Sequence, residues 1–182
     1  GTPSDDHYTK TALLILDPNG NDTYLNNSNI NHPFSIIIDW QGNDHYFATE
    51  PFAQGAQCLG IGLLIDKQGN DRYVCKQWGQ GAAIVGIGEL IDEKGNDIYS
   101  ANTLSQGIAF CGIGIIKDLN GSDQYKIQSF GQAVGLPKGL GLLYDKSGND
   151  TYTAIGEFKS SYDTPNIFKG AAQGFGIGFS EM

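Results

Sequence analysis

One pattern, Asp-x-x-Gly-Asn-Asp-x-Tyr, recurs six times along the 182 residues and limits the architectures open to them. The copies are Asp17-Pro18-Asn19-Gly20-Asn21-Asp22-Thr23-Tyr24, Asp39 to Tyr46, Asp66 to Tyr73, Asp92 to Tyr99, Asp118 to Tyr125 (with Ser122 for Asn) and Asp145 to Tyr152. A worn seventh copy opens the chain at Asp6 and Tyr8. The second Asp falls at 22, 44, 71, 97, 123 and 150, giving steps of 22, 27, 26, 26 and 27. A second block lies between the copies: Gln54-Gly55 leads to Gly60-Ile61-Gly62, Gln80-Gly81 to Gly86-Ile87-Gly88, and Gln106-Gly107 to Gly112-Ile113-Gly114. It continues as Gln132-Ala133 to Gly139-Leu140-Gly141. A module of about 26 residues cannot enclose a core alone and has to stack on its neighbours.

The turn and its flanks can be read from residue chemistry. Asp at the first position, Pro18 at the second and glycine at the fourth suit a type I turn followed by a left-handed residue. The first Asp is expected to cap turn amides, and the glycine to supply a positive φ. Before each turn stand Leu14-Ile15-Leu16, Ile36-Ile37-Ile38, Leu63-Leu64-Ile65, Glu89-Leu90-Ile91, Ile115-Ile116-Lys117 and Leu142-Leu143-Tyr144. The middle residue is always aliphatic while its neighbours include Glu89 and Lys117, so strand alternation points the middle one inward. After the turn, the same parity sends inward the second Asp, the Tyr and the series Asn26, Ala48, Cys75, Ala101, Ile127 and Ala154. His45, Arg72 and Gln124 then face out. Phe52, Trp78, Leu104 and Phe130 are expected as inward anchors, and the Gln two residues later as inward too, forming an amide ladder along the stack.

These segments predict an all-β fold: a parallel β-helix (β-solenoid) of about 6–7 coils and three faces, with coils starting near 17, 39, 66, 92, 118 and 145. The alternative is a stack of β-hairpins, because a type I turn with a glycine bulge also closes antiparallel strands. Propeller blades, at about 40 residues, are too long for the module. Residues 1–182 read as one repeat domain and as a fragment of a larger protein, beginning at Gly1-Thr2-Pro3-Ser4 and ending at Met182 where the next Asp is due.

Charge and composition narrow the partners. The formal net charge is −9, yet 12 of the 20 acidic residues are the paired Asp of the six motifs. The other 8 face 11 Lys and Arg, so the acidity belongs to the turns. No basic stripe exists for a nucleic acid or an anionic membrane, and no apolar run reaches transmembrane length. Cys58, Cys75 and Cys111 fit neither a disulfide framework nor a zinc site and read as small fillers.

Stacking brings like Asp residues within about 4.8 Å of one another, which amides or a cation must offset. Gly20-Asn21-Asp22 and its five equivalents resemble the Gly-rich Asp repeat of calcium-binding RTX solenoids. The period of about 26 residues, the missing Gly-Gly lead and Tyr in place of an aliphatic residue depart from that pattern. The resemblance implies Ca²⁺ held by Asp22, Asp44, Asp71, Asp97, Asp123 and Asp150. The other reading makes these carboxylates caps for turn amides and acceptors for the neighbouring coil. The module also resembles Asp-x-x-Gly-Asp-Asp-x-Tyr repeats of large bacterial proteins.

No catalytic residue stands out. Six equivalent Asp pairs argue against one glycosidase-type site. His7, His32 and His45 are scattered, and Gly-x-Gly lacks a following helix. Departures from symmetry are the places for a site: the insertion around 157–166, with Glu157 and Asp163, the adjoining Pro137 and Lys138, and the short first step at Asn26-Asn27-Ser28-Asn29. The resulting expectation is a structural or binding β-solenoid of a bacterial surface or secreted protein, with a protein or glycan on one face or end-to-end self-association. A calcium-stabilised solenoid and a carbohydrate-active β-helix enzyme with its site near 157–166 are the alternatives.

Overall fold

The computed structural model describes residues 1–28 and 30–154, and beyond them the backbone of Ile167–Phe168 and Gly176–Gly178. Fifteen strands, β1 to β15 in chain order, build two sheets among the described residues. One sheet holds β1 (His7–Tyr8), β3 (Thr23–Leu25), β5 (His45–Ala48), β7 (Arg72–Gln77), β9 (Ile98–Ser105), β11 (Gln124–Gly131) and β13 (Thr151–Ala154), in that order. The other holds β2 (Leu14–Asp17), β4 (Phe34–Asp39), β6 (Gln57–Asp66), β8 (Ala83–Asp92), β10 (Ile113–Asp118) and β12 (Leu140–Asp145), followed by β15 (Gly176–Gly178) and β14 (Ile167–Phe168). Every pairing is parallel except that between β14 and β15. Equivalent residues pair: Asp39 with Asp66, Asp66 with Asp92, and Tyr46 with Tyr73. Parallel pairing in the repeat's own register is a β-solenoid, and it removes the hairpin alternative. Among the described residues the six motifs bound five complete circuits between Asp22 and Asp150, fewer than the 6–7 expected.

The third face is present but slight. It consists of the first residues of β6 and β8 and the isolated bridges Ala83–Ala109 and Ala109–Gly135. At the corner leading into it, Gly81 has φ +69, and a Cβ there would lie 1.9 Å from the Ile115 carbonyl oxygen. The motif glycines serve a different purpose from the one expected. Gly20 and Gly148 have positive φ, but Gly42, Gly69, Gly95 and Gly121 do not. They are glycine because coils touch: a Cβ on Gly69 would lie 1.9 Å from the Gly42 carbonyl oxygen.

Parity places most rows as expected. Ile15, Ile37, Leu64, Leu90, Ile116 and Leu143 are buried in one cluster with the Tyr rings. Ala48, Cys75, Ala101 and Ile127 form a second small cluster. The three cysteines are free. Two rows differ. Asn26 is exposed, with φ 49, and its side chain accepts from the amides of Thr49 (2.7 Å) and Glu50 (3.3 Å). The short first step turns the chain there. Of the anchors, Phe52 is buried, Trp78 and Leu104 are half-buried and Phe130 is exposed. All four are left-handed, as is the Gln two residues on, so simple alternation fails at this corner.

The Gln row itself is inward and buried. Gln80 Nε2 donates to the carbonyls of Tyr73 and Ser100, both at 3.0 Å; Gln54 and Gln106 repeat this on Tyr46 with Val74 and on Tyr99 with Lys126. These contacts hold the left-handed corner against the sheet of β1 to β13. The amide ladder expected of Gln belongs instead to the exposed Asn row. Asn21, Asn43 and Asn70 each accept from the amide of the Asn one coil on, at 2.8–2.9 Å, and from its side-chain NH₂ at 3.3–3.4 Å.

Candidate metal centre

Each motif turn brings two carboxylates inward, and their oxygens are used unequally. The first Asp caps its own turn: the amides of Asn19, Gln41, Gln68, Lys94 and Asn120 donate to Oδ1 of Asp17, Asp39, Asp66, Asp92 and Asp118 at 3.1–3.2 Å. Its Oδ2 accepts a tyrosine hydroxyl from the preceding coil. Tyr24 donates to Asp39 at 2.6 Å; Tyr46, Tyr73 and Tyr99 donate to Asp66, Asp92 and Asp118 at 2.8 Å. Tyr152 instead donates to Asp145 of its own coil. The tyrosines form one column from Tyr8 to Tyr152, with ring centroids 4.5–4.8 Å apart.

The second Asp reaches between coils. Oδ1 of Asp44, Asp71 and Asp97 accepts the amide of the preceding coil's second Asp at 2.6 Å, and Asp123 and Asp150 do the same at 2.7 and 2.9 Å. Oδ2 of Asp22, Asp44, Asp71, Asp97 and Asp123 is buried and has no hydrogen-bond partner. Within each turn the two carboxyl groups stand in hydrogen-bond reach of each other, Asp17 with Asp22, Asp39 with Asp44, Asp66 with Asp71, Asp92 with Asp97 and Asp118 with Asp123, so a shared proton can join them. Carboxylate oxygens of Asp22, Asp39 and Asp44 lie within 4.8 Å of one another, as do those of Asp44, Asp66 and Asp71, of Asp71, Asp92 and Asp97, and of Asp97, Asp118 and Asp123. At the N-terminal end Asp6, Asp17 and Asp22 make a less buried group.

Among the described residues no Lys or Arg pairs with this column, and the N-terminal ammonium acts on Asp6 at its N-terminal end. The ion pair among the described residues, Lys67 with Glu93, is on the surface. Burial therefore pushes the acids up: Asp71 to about 10, Asp44 to about 8, Asp123 to about 9, and Asp22, Asp66 and Asp97 to about 7. Asp92 is raised well above its usual range, by burial first and then by the Asp97 charge. A buried carboxylate row of this kind requires bound protons or bound cations.

The donor set suits a hard cation. The candidate donors in these groups are carboxylate oxygens, and a mutual spacing within 4.8 Å matches two oxygens spanning one ion at about 2.4 Å. Clustered aspartates able to bind a metal are thus a feature of the fold. Of the sequence candidates, Asp22, Asp44, Asp71, Asp97 and Asp123 lie in the column, while Asp150 is only half-buried at its end. The first-Asp row, Asp39, Asp66, Asp92 and Asp118, joins the same groups, although its spacing suggested turn caps alone. The shared parity of the two aspartates, five residues apart across a turn, was the available signal. The insertion with Glu157 and Asp163 lies outside the described residues. Comparison with protein-family models, with curated proteins and with solved structures found no match.

Proposed function

We propose that the chain is a structural and binding β-solenoid held along its length by Ca²⁺. The observation that supports this reading is the row of buried Oδ2 atoms that no amide or hydroxyl satisfies, in residues whose carboxylates group with those of the first-Asp row. Each complete coil adds two carboxylates, so one divalent ion per coil neutralises the column, whereas one shared proton per coil leaves it charged. The likeness of Gly-Asn-Asp to RTX turns favours calcium over magnesium, as does the irregular, all-oxygen donor set. Asp22, Asp44, Asp71, Asp97, Asp123 and Asp150 supply ligands, together with Asp39, Asp66, Asp92 and Asp118. A calcium-rich setting, at a bacterial surface or after secretion, fits such a requirement. The partner is a protein or glycan on one face, with end-to-end association of coils as a further mode.

Thermal melts in Ca²⁺ and in EGTA test the reading. Calcium raises the melting temperature, and calorimetric titration gives close to one ion per complete coil. An unchanged melt, together with no heat of binding, rejects it.

A further inference from the structure

The outward side of the sheet containing β2 to β12 is aliphatic instead of polar. Phe34, Ile61, Ile87, Ile113 and Leu140 pair in register across five coils and are between 36% and 60% exposed. Beside them run Leu14, Ile36, Leu63, Ile115 and Leu142, then Leu16, Ile38, Ile65, Ile91 and Tyr144. Two charged residues interrupt these three columns, Glu89 and Lys117. They sit on adjacent coils, diagonally, since Glu89 pairs with Ile115 and Lys117 with Ile91. No ion pair joins them, and neither carries a side-chain hydrogen bond among the described residues. Contiguous apolar patches of this extent mark interaction sites.

We infer that this face binds a second copy of the chain, sheet against sheet, about a two-fold axis that sets Glu89 of each copy against Lys117 of the other. Charge complementarity selects this occupant. A two-fold interface presents the same patch twice, so a patch carrying one acid and one base is self-complementary if the axis exchanges them. A partner of unrelated sequence would have no reason to match one opposite charge to each of two adjacent sites. The geometry allows the exchange. The two residues are offset by two residues along the strand, about 6.6 Å, and by one coil, about 4.8 Å. An in-plane axis that exchanges them crosses the strands of the two copies at about 70°, nearer the orthogonal than the aligned class of sheet packing. Six strands by three outward columns cover roughly 500 Å² per copy, so the pair reaches about 1,000 Å² in total, the lower bound for a specific interface. End-to-end stacking would use the solenoid's termini, and grows open chains; this face closes at two copies.

Sedimentation velocity on the full chain, with Ca²⁺ and separately with EGTA, tests the inference independently of the calcium reading. The wild type is a dimer at micromolar concentration. Glu89→Lys and Lys117→Glu each set like charges together and weaken the dimer by about tenfold or more. The double variant Glu89→Lys with Lys117→Glu restores it to within about threefold of wild type, because the pairing is reversed intact. Ile87→Asp, at the centre of the face, yields a monomer with an unchanged far-UV spectrum. A wild type that stays monomeric at about 100 μM, or that grows an open series of oligomers, overturns the inference. So does a dimer indifferent to the single swaps, or one that the double swap fails to restore.

Discussion

The two sheets of this solenoid share one interior and have different exteriors. Inside, the sheet of β1 to β13 presents Tyr46, Tyr73 and Tyr99, and the sheet of β2 to β12 presents Ile37, Leu64 and Leu90, all buried in one cluster. Outside, the first mixes His45, Arg72, Gln124, Lys126 and Thr151 with the apolar Phe47, Val74 and Ile98, whereas the second carries Ile61, Ile87, Ile113 and Leu140 in an almost unbroken aliphatic face. Stacking imposes the same demand on every inward row, because each coil must fit the next. It imposes almost none on outward rows. The difference between the exteriors is therefore where selection for something other than folding can be read.

The corner between the sheets, which both depend on, offers the largest way to sharpen this comparison. In EGTA, the protein is more stable near pH 5 than near pH 9. Unfolded Asp titrates near 3.8, while the folded acids keep their protons to about 6 to 10, so unfolding releases protons. The stabilisation these protons give is complete below the unfolded value and is lost as pH rises through the folded ones. Saturating Ca²⁺ removes most of that slope in the melting temperature. Next, Leu64→Ala costs about 2–5 kcal/mol in urea unfolding, while its outward neighbour Leu63→Ala costs about 1 kcal/mol or less. Equal costs for the two would break the inside–outside distinction. Third, Tyr73→Phe deletes the donor to Asp92 Oδ2 and costs about 1.5–3 kcal/mol at neutral pH. Smallest of all, Arg72→Ala on the mixed exterior changes stability by about 0.5 kcal/mol at most and leaves the sedimentation profile untouched.

Much of the interior was legible because alternation along a strand is a geometric rule. Parity assigned Ile15 before the turn and Asp22 and Tyr24 after it to the inside, and each is buried there. The rule lapsed where backbone left the extended region. At Trp78 and Gln80 two left-handed residues turn the corner, and which partners Gln80 would find depended on a carbonyl in the neighbouring coil. Gly69 departs from the positive-φ expectation for a related reason: its constraint is the Gly42 carbonyl, a stacking contact invisible within one module. For the acids, each module showed its own pair, but the triads of Asp71, Asp92 and Asp97 exist only once two coils are superposed. The aliphatic exterior was in plain view in the sequence. Glu89 and Lys117 marked those columns as outward, and their outwardness obscured how apolar the remaining residues are.

The latches between coils carry a mechanical consequence. Asn43 accepts from the amide of Asn70 one coil on, while the adjacent Asp71 side chain accepts from the amide of Asp44 one coil back, so neighbouring residues hook in opposite directions. A pull along the axis loads every junction equally, and within each junction it loads both hooks at once, so a junction gives way as a unit. Each coil freed adds about 26 residues of contour, roughly 90 Å at about 3.4 Å per residue, in place of a rise of about 4.8 Å. A tether built this way is expected to lengthen coil by coil, in steps of 26 or 27 residues with one shorter step of 22 at the first coil.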